Sequence, residues 1–100
     1  MPTPVVVSTR RTAIGRAFKG SLATARPDDL AAFVAATLVD ELDGFDPAEI
    51  EDVIVGAAIQ AGTQSMNLGR VVSALAGFPD SVPGSSVNRF CASSDRTSVV

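Results

Sequence analysis

Hydrophobic and polar positions alternate in blocks along the chain, short apolar runs being separated by polar stretches punctuated with Gly and Pro. Pro4-Val5-Val6-Val7-Ser8 is β-branched without alternation, the pattern of a strand covered on both faces. Thr9 to Pro27 has no period and contains Gly15 and Gly20, so it predicts an irregular excursion. A helix follows: Pro27 pre-sets its start, Asp28 and Asp29 suit its first turn, and Leu30, Val34, Leu38 and Leu42 recur at helical spacing until Gly44 stops it. Asp46-Pro47-Ala48-Glu49 has the form of a capping box on one short turn, with Pro47 at the first helical position.

Val53-Ile54-Val55-Gly56-Ala57-Ala58-Ile59 is a second buried-strand pattern, and strand, helix, strand in that order imply a right-handed parallel crossover. Gln60 to Met66 predicts a loop. Asn67 caps a second helix with Leu68, Val71, Val72 and Leu75 as its apolar face, closing at Gly77 with Pro79 beyond. Asn67 and Arg70 are read as a cap and an exposed helix residue rather than as a polar site. Pro83-Gly84 then turns the chain into a third strand near Ser85 to Arg89. The expected fold class is α/β, with β-α-β-α-β leading to a further helix beginning near Ala92. Repeats, heptads and linkers are absent, so residues 1–100 read as one domain.

Composition sharpens this picture. Hydrophobic residues make up 46% and charged residues 19%, below the charged share of about 25% usual in soluble domains, so the chain reads like the interior of something larger. A net charge of -3 and a pI near 4.6 exclude a general nucleic-acid binder with a basic face. Charge is uneven locally: Arg10, Arg11, Arg16, Lys19 and Arg26 precede the acidic tract from Asp28 to Asp52, which fits a solvated loop followed by a solvated helix face. No Gly-rich phosphate loop occurs around Gly15 or Lys19-Gly20. No run approaches ~18 apolar residues, and the start lacks the pattern of a secretory leader. One cysteine permits no internal disulfide, which fits a reducing compartment. A soluble, cytoplasmic protein with no membrane partner, no metal and no bound cofactor is expected.

Candidate chemistry is concentrated in Ser85-Ser86-Val87-Asn88-Arg89-Phe90-Cys91-Ala92-Ser93-Ser94. A free cysteine is commonly a small buried hydrophobe. The other reading rests on position. If a strand ends near Arg89 and a helix begins near Ala92, Cys91 lies at the carboxyl end of a strand, where open α/β sheets place their ligands. There the unpaired N–H groups and positive dipole of a helix start favour the thiolate, which is the nucleophilic form.

The run from Ser81 to Ser94, together with Arg11-Thr12-Ala13-Ile14-Gly15-Arg16, Phe18-Lys19-Gly20-Ser21-Leu22, Arg26-Pro27-Asp28-Asp29-Leu30-Ala31 and Gln60-Ala61-Gly62, resembles the thiolases in the order those segments occur in that family. The resemblance spans residues ~4 to ~94 and implies an incomplete thiolase N-terminal domain over 1–100. It implies an acyltransferase in which Cys91 is the catalytic nucleophile, 3-ketoacyl-CoA the substrate and coenzyme A a co-substrate. Wording around Cys91 favours the degradative, fatty-acid β-oxidation type. A homo-oligomer is implied for a full-length protein. In the family the activating histidines, the second acid–base cysteine and the CoA-binding loops come later, and this chain has no histidine, so no CoA-binding residue is assigned. The pattern breaks after Ser94, where Asp95 and Arg96 replace apolar and small positions. Asp95 would sit one helical turn from Cys91, where a carboxylate disfavours the thiolate. A truncated or frame-altered, catalytically inactive chain is therefore expected, or a module that docks on an intact thiolase.

Overall fold

The computed structural model describes residues 3–91 and 93, together with the backbone of residues 98 and 99. The first regular element is helix α1, Pro27–Asp40. Arg26 precedes it in extended conformation, and Pro27 occupies the first turn, where its missing N–H costs nothing. Asp28, buried in that turn, accepts from Arg26 Nε at 3.1 Å and Nη2 at 2.8 Å, and from the Asp29 N–H at 2.9 Å. The chain leaves α1 through a turn to Gly44, whose φ of 74° is the left-handed conformation glycine adopts without penalty. Asp46 accepts from the Ala48 N–H at 3.0 Å and caps a single 3-10 turn, Pro47–Glu49.

Strand β1, Val53–Gly56, then enters the sheet. A 3-10 turn at Gly62–Gln64 interrupts the following loop before helix α2, Leu68–Leu75, and strand β2, Gly84–Val87. β1 and β2 are parallel, paired from Val53 with Gly84 to Gly56 with Val87 and connected through α2; the crossover expected through the first helix is not formed, because Pro4 to Ser8 is not a strand. Strand β3, Ser98–Val99, lies antiparallel on the other side of β1, opposite Ile54 and Val53. The fold is α/β, with sheet order β2-β1-β3 and α2 packed on both β1 and β2.

The expected first strand is not formed: Val5, Val6 and Val7 are 76%, 83% and 75% exposed and belong to no strand. A continuous apolar run specifies strand-forming residues but not a partner, and the edge of β1 away from β2 carries Ser98–Val99 instead. The second strand is also shorter than its apolar run, because pairing with β2 ends at Val87; Ala57 still donates to the Val87 carbonyl at 3.0 Å, and Ala58 and Ile59 emerge into solvent.

Both helices bury a face rotated from the one that hydrophobicity suggests. α1 turns Ala32, Ala35 and Val39 inward and leaves Leu30, Val34 and Leu38 half-buried, since small side chains let it lie close against α2. α2 buries Leu68, Gly69, Val72 and Ser73, whereas Val71 and Leu75 face outward. The reason is a backbone-to-backbone approach. A Cβ on Gly69 would lie 2.0 Å from the Ser85 carbonyl oxygen, and one on Gly84 would lie 2.4 Å from the Gly69 carbonyl carbon, so only glycine pairs permit this fit. Val53, Val72 and Val82 are at most 1% exposed and form the centre of the core with Leu68, Ile50 and Phe78.

Candidate functional site around Cys91

Polar side chains, not apolar packing alone, fix the strand that carries the chain to Cys91. Asn67 caps α2 through the Arg70 N–H at 3.4 Å, and its Nδ2 donates to the Gly84 carbonyl at 2.8 Å. The Ser86 hydroxyl donates to Asn67 Oδ1 at 3.2 Å while accepting from the Gly69 N–H at 2.9 Å. Arg70 differs from the exposed helix residue expected of it: it is half-buried, and its Nη1 donates to the Val82 carbonyl at 2.8 Å. The start of α2 is thereby stitched to β2 at Gly84 and Ser86 and to Val82 just ahead of it.

Beyond Val87 the chain leaves the sheet at its carboxyl edge. Asn88 spans the exit: Nδ2 donates to the Ala58 carbonyl, 30 residues away, at 3.1 Å, and Oδ1 accepts from the Phe90 N–H at 2.9 Å. Buried Ser93 closes the other side of the turn. Its hydroxyl donates to the Phe90 carbonyl at 2.8 Å and accepts from the Arg89 N–H at 2.8 Å. Phe90 has a φ of 49°, left-handed backbone that a bulky residue adopts at a cost of about 1–2 kcal/mol, so the turn is held by its hydrogen bonds rather than by local preference.

Cys91 sits in this turn, in 3-10 conformation with Phe90 and Ser93. Its thiol is free and exposed, not a buried hydrophobe. The strand that leads to it ends at Val87, two residues before the expected end near Arg89, because pairing with β1 stops there. The helix expected from Ala92 onward, and with it Asp95 and Arg96, falls on residues outside the described ones. A base is absent from the chain in the form of histidine. Among the described residues no cluster of three or more His, Cys, Asp or Glu side chains could hold a metal. A broad concavity of about 650 Å³ runs along Thr9–Ala13 and includes no residue of the Cys91 turn. No helix among the described residues is long and apolar enough to cross a membrane.

The strand before Cys91 and the Asn67 cap were legible in the sequence. Sequence reasoning missed Asn88, Ser86 and Ser93 as the side chains that shape the turn. The only signal for them was their polarity beside a strand end, and that does not identify a partner thirty positions away.

Compared with known proteins, residues 4–99 match the family model "Thiolase, N-terminal domain". A 3-ketoacyl-CoA thiolase of Bacillus subtilis is 44% identical over 93 residues, covering 93% of this chain and 24% of that protein. A beta-ketoadipyl-CoA thiolase of Pseudomonas knackmussii is 49% identical over 83 residues, covering 83% of this chain and 20% of that protein. The crystal structure of the Bacillus anthracis acetyl-CoA acetyltransferase superposes with a TM-score of 0.65 at 36% identity, covering 76% of this chain and 19% of that one. The chain thus spans at most about a quarter of the length of these relatives.

Proposed function

Since the chain belongs to the thiolase family through its N-terminal domain, we propose that it contributes the acyl-carrying cysteine of a thiolase-type acyltransferase and that this residue is Cys91. The carrying observation is the exposed, free sulfur of the chain's only cysteine, held at the carboxyl end of a parallel strand by the Asn88 and Ser93 turn.

The reaction divides into two acyl transfers. The Cys91 thiolate attacks the 3-keto carbon of a 3-ketoacyl-CoA and forms a carbon–sulfur bond. As the alkoxide collapses, the bond between C2 and C3 breaks, and its electron pair leaves as the enolate of acetyl-CoA, which takes up a proton. A second CoA thiolate then attacks the thioester carbonyl, and Cys91 departs as thiolate with the shortened acyl-CoA released. Each carbonyl oxygen needs hydrogen-bond donors as it gains charge, and the two proton movements need a base and an acid. With no histidine in these 100 residues, the acid–base groups come from outside them, and the chain alone does not turn over.

Support for the degradative, β-oxidation type is the 44% identity to the Bacillus subtilis 3-ketoacyl-CoA thiolase and 45% identity to the peroxisomal 3-ketoacyl-CoA thiolase 5 of Arabidopsis thaliana. A single cysteine suits a reducing cytoplasm. The test replaces the matching quarter of the Bacillus subtilis enzyme by this chain and measures thiolysis of acetoacetyl-CoA. Cys91→Ser is expected to lower kcat by orders of magnitude and to abolish the acyl adduct seen by intact mass. Retained turnover in Cys91→Ser overturns the role of Cys91. Turnover by the purified 100-residue chain overturns the statement that its helpers lie elsewhere.

A further inference from the structure

Two segments leave the carboxyl edge of the sheet side by side, one after β1 through Ala58 and one after β2 towards Cys91, and a single side chain ties them. Asn88 Nδ2 donates to the Ala58 carbonyl at 3.1 Å, and its Oδ1 accepts from the Phe90 N–H at 2.9 Å. We propose that Asn88 is a positioning residue for the nucleophile: by holding Phe90 in left-handed backbone, it sets where the Cys91 sulfur stands against the sheet. The inference rests on the reading of Cys91 as the acyl carrier and names the side chain through which that site keeps its geometry.

The two contacts leave the amide one orientation. The Ala58 carbonyl can only accept and the Phe90 N–H can only donate, so with Nδ2 on the first, Oδ1 is aimed at the second. Aspartate would keep the shape but has no donor, and the Ala58 carbonyl would repel its carboxylate. Phe90 needs such a hold, because its φ of 49° is disfavoured for a bulky residue and its side chain, 74% exposed, is not packed in place. Ser93 bonds the Arg89 N–H and the Phe90 carbonyl, which belong to the same turn. Among the described residues, Asn88 is the side chain of this turn that refers it to β1.

Releasing Phe90 lets its backbone relax to negative φ, which rotates the peptide that follows and carries the Cys91 sulfur with it. A reacting atom displaced by about 1 Å loses on the order of 100-fold in rate. The loss falls on kcat rather than KM, since it is attack that depends on where the sulfur stands.

Asn88→Asp tests this with two readouts. By NMR on the whole chain, the Phe90 amide is expected to exchange severalfold faster while the Ala57 amide, bonded to the Val87 carbonyl, is unchanged. In the hybrid with the Bacillus subtilis enzyme, kcat for acetoacetyl-CoA thiolysis is expected to fall on the order of tenfold or more, with KM little changed. Adding Phe90→Gly is expected to restore most of that loss, because glycine adopts the left-handed backbone unaided; a merely structural role for Asn88 gives no such rescue. A Phe90 amide that exchanges no faster, an unchanged kcat, or a loss that Phe90→Gly leaves in place overturns the proposal. Where Asn88→Asp prevents folding of the hybrid, Asn88→Ala replaces it with the same expectations and the same overturning results. Cys91→Ser separates the two readings: turnover retained there overturns the role of Cys91, whereas turnover lost there but kept in Asn88→Asp overturns the role of Asn88 alone.

Discussion

Asp28 shows how one side chain can set the start of an element and its response to pH. It is 2% exposed yet ionisable, and it lies between the Arg26 guanidinium and the Asp29 N–H. The Arg26 hydrogen bond, opposed by burial and assisted by the Asp29 N–H and the guanidinium charge, holds the Asp28 carboxyl below the usual carboxylate range. A carboxyl depressed in the folded state contributes stability that is present above its unfolded pKa. That contribution is lost as pH falls through the folded value. Asp28→Asn is therefore expected to lower Tm at neutral pH, with the difference from the unsubstituted chain shrinking as pH falls below the ordinary carboxylate range. Thermal melts of the two proteins from neutral to strongly acid pH check this, and a difference independent of pH would assign Asp28 a packing role only. Replacing Arg26, which is largely exposed, tests the same contact from its solvent side.

At the scale of elements, the contact that decides the geometry is made without side chains. Gly69 in α2 and Gly84 in β2 let the two backbones touch, with Ser86 and Asn67 satisfying the polar groups brought together there. Gly69→Ala would place a methyl on the Ser85 carbonyl and force helix and strand apart. Overpacking of this kind costs about 1–3 kcal/mol, a large share of a small domain's stability. Gly62→Ala is the control, since nothing lies within 4 Å of its Cβ position and only its φ of +59° opposes the change, by about 1–2 kcal/mol. Urea unfolding midpoints should fall for both, and Gly69→Ala alone should also speed iodoacetamide labelling of core-lining cysteine probes placed at Val82.

This contact also explains why the sequence announces some elements better than others. Pro27, Asn67, Gly77 and Pro83-Gly84 bracket α1, α2 and β2, because each has a local conformational requirement that acts whatever the tertiary fold, whereas α1 ends at Asp40, before the stop expected at Gly44. The inward face of α2 is different. Hydrophobicity nominates Val71 and Leu75, but the burial of Gly69 and Ser73 follows from how closely a strand approaches, and no residue type encodes that distance. Cys91 is a candidate through its position and its resemblance to a family segment. The Asn88 link to Ala58 was not, because a polar side chain at a strand end has many equivalent local partners.

For the whole molecule, the distribution of apolar surface carries the argument. Val5, Val6, Val7, Ile14, Phe18, Ile59, Met66 and Phe90 are all at least 74% exposed, while the buried core is built mainly from Ala, Val, Leu, Ile and one Phe. A three-stranded sheet already leaves backbone edges able to pair with another molecule, and an exposed run of β-branched residues is the kind of segment that recruits one. The chain is therefore expected to self-associate as its concentration rises from micromolar towards millimolar, with increasing mean sedimentation coefficient and binding of an apolar dye. Val5→Lys with Val7→Lys places two like charges in the run and is expected to shift association to severalfold higher concentration, since charge on an edge opposes pairing between copies. A helix-face substitution such as Phe33→Lys, on a side chain of α1 that is 69% exposed and belongs to no strand, removes apolar area without touching a pairing segment. If both variants suppress association equally, general hydrophobicity drives it; if only the valine pair does, strand addition is the cause, and the edge of the sheet is where this domain meets other polypeptide.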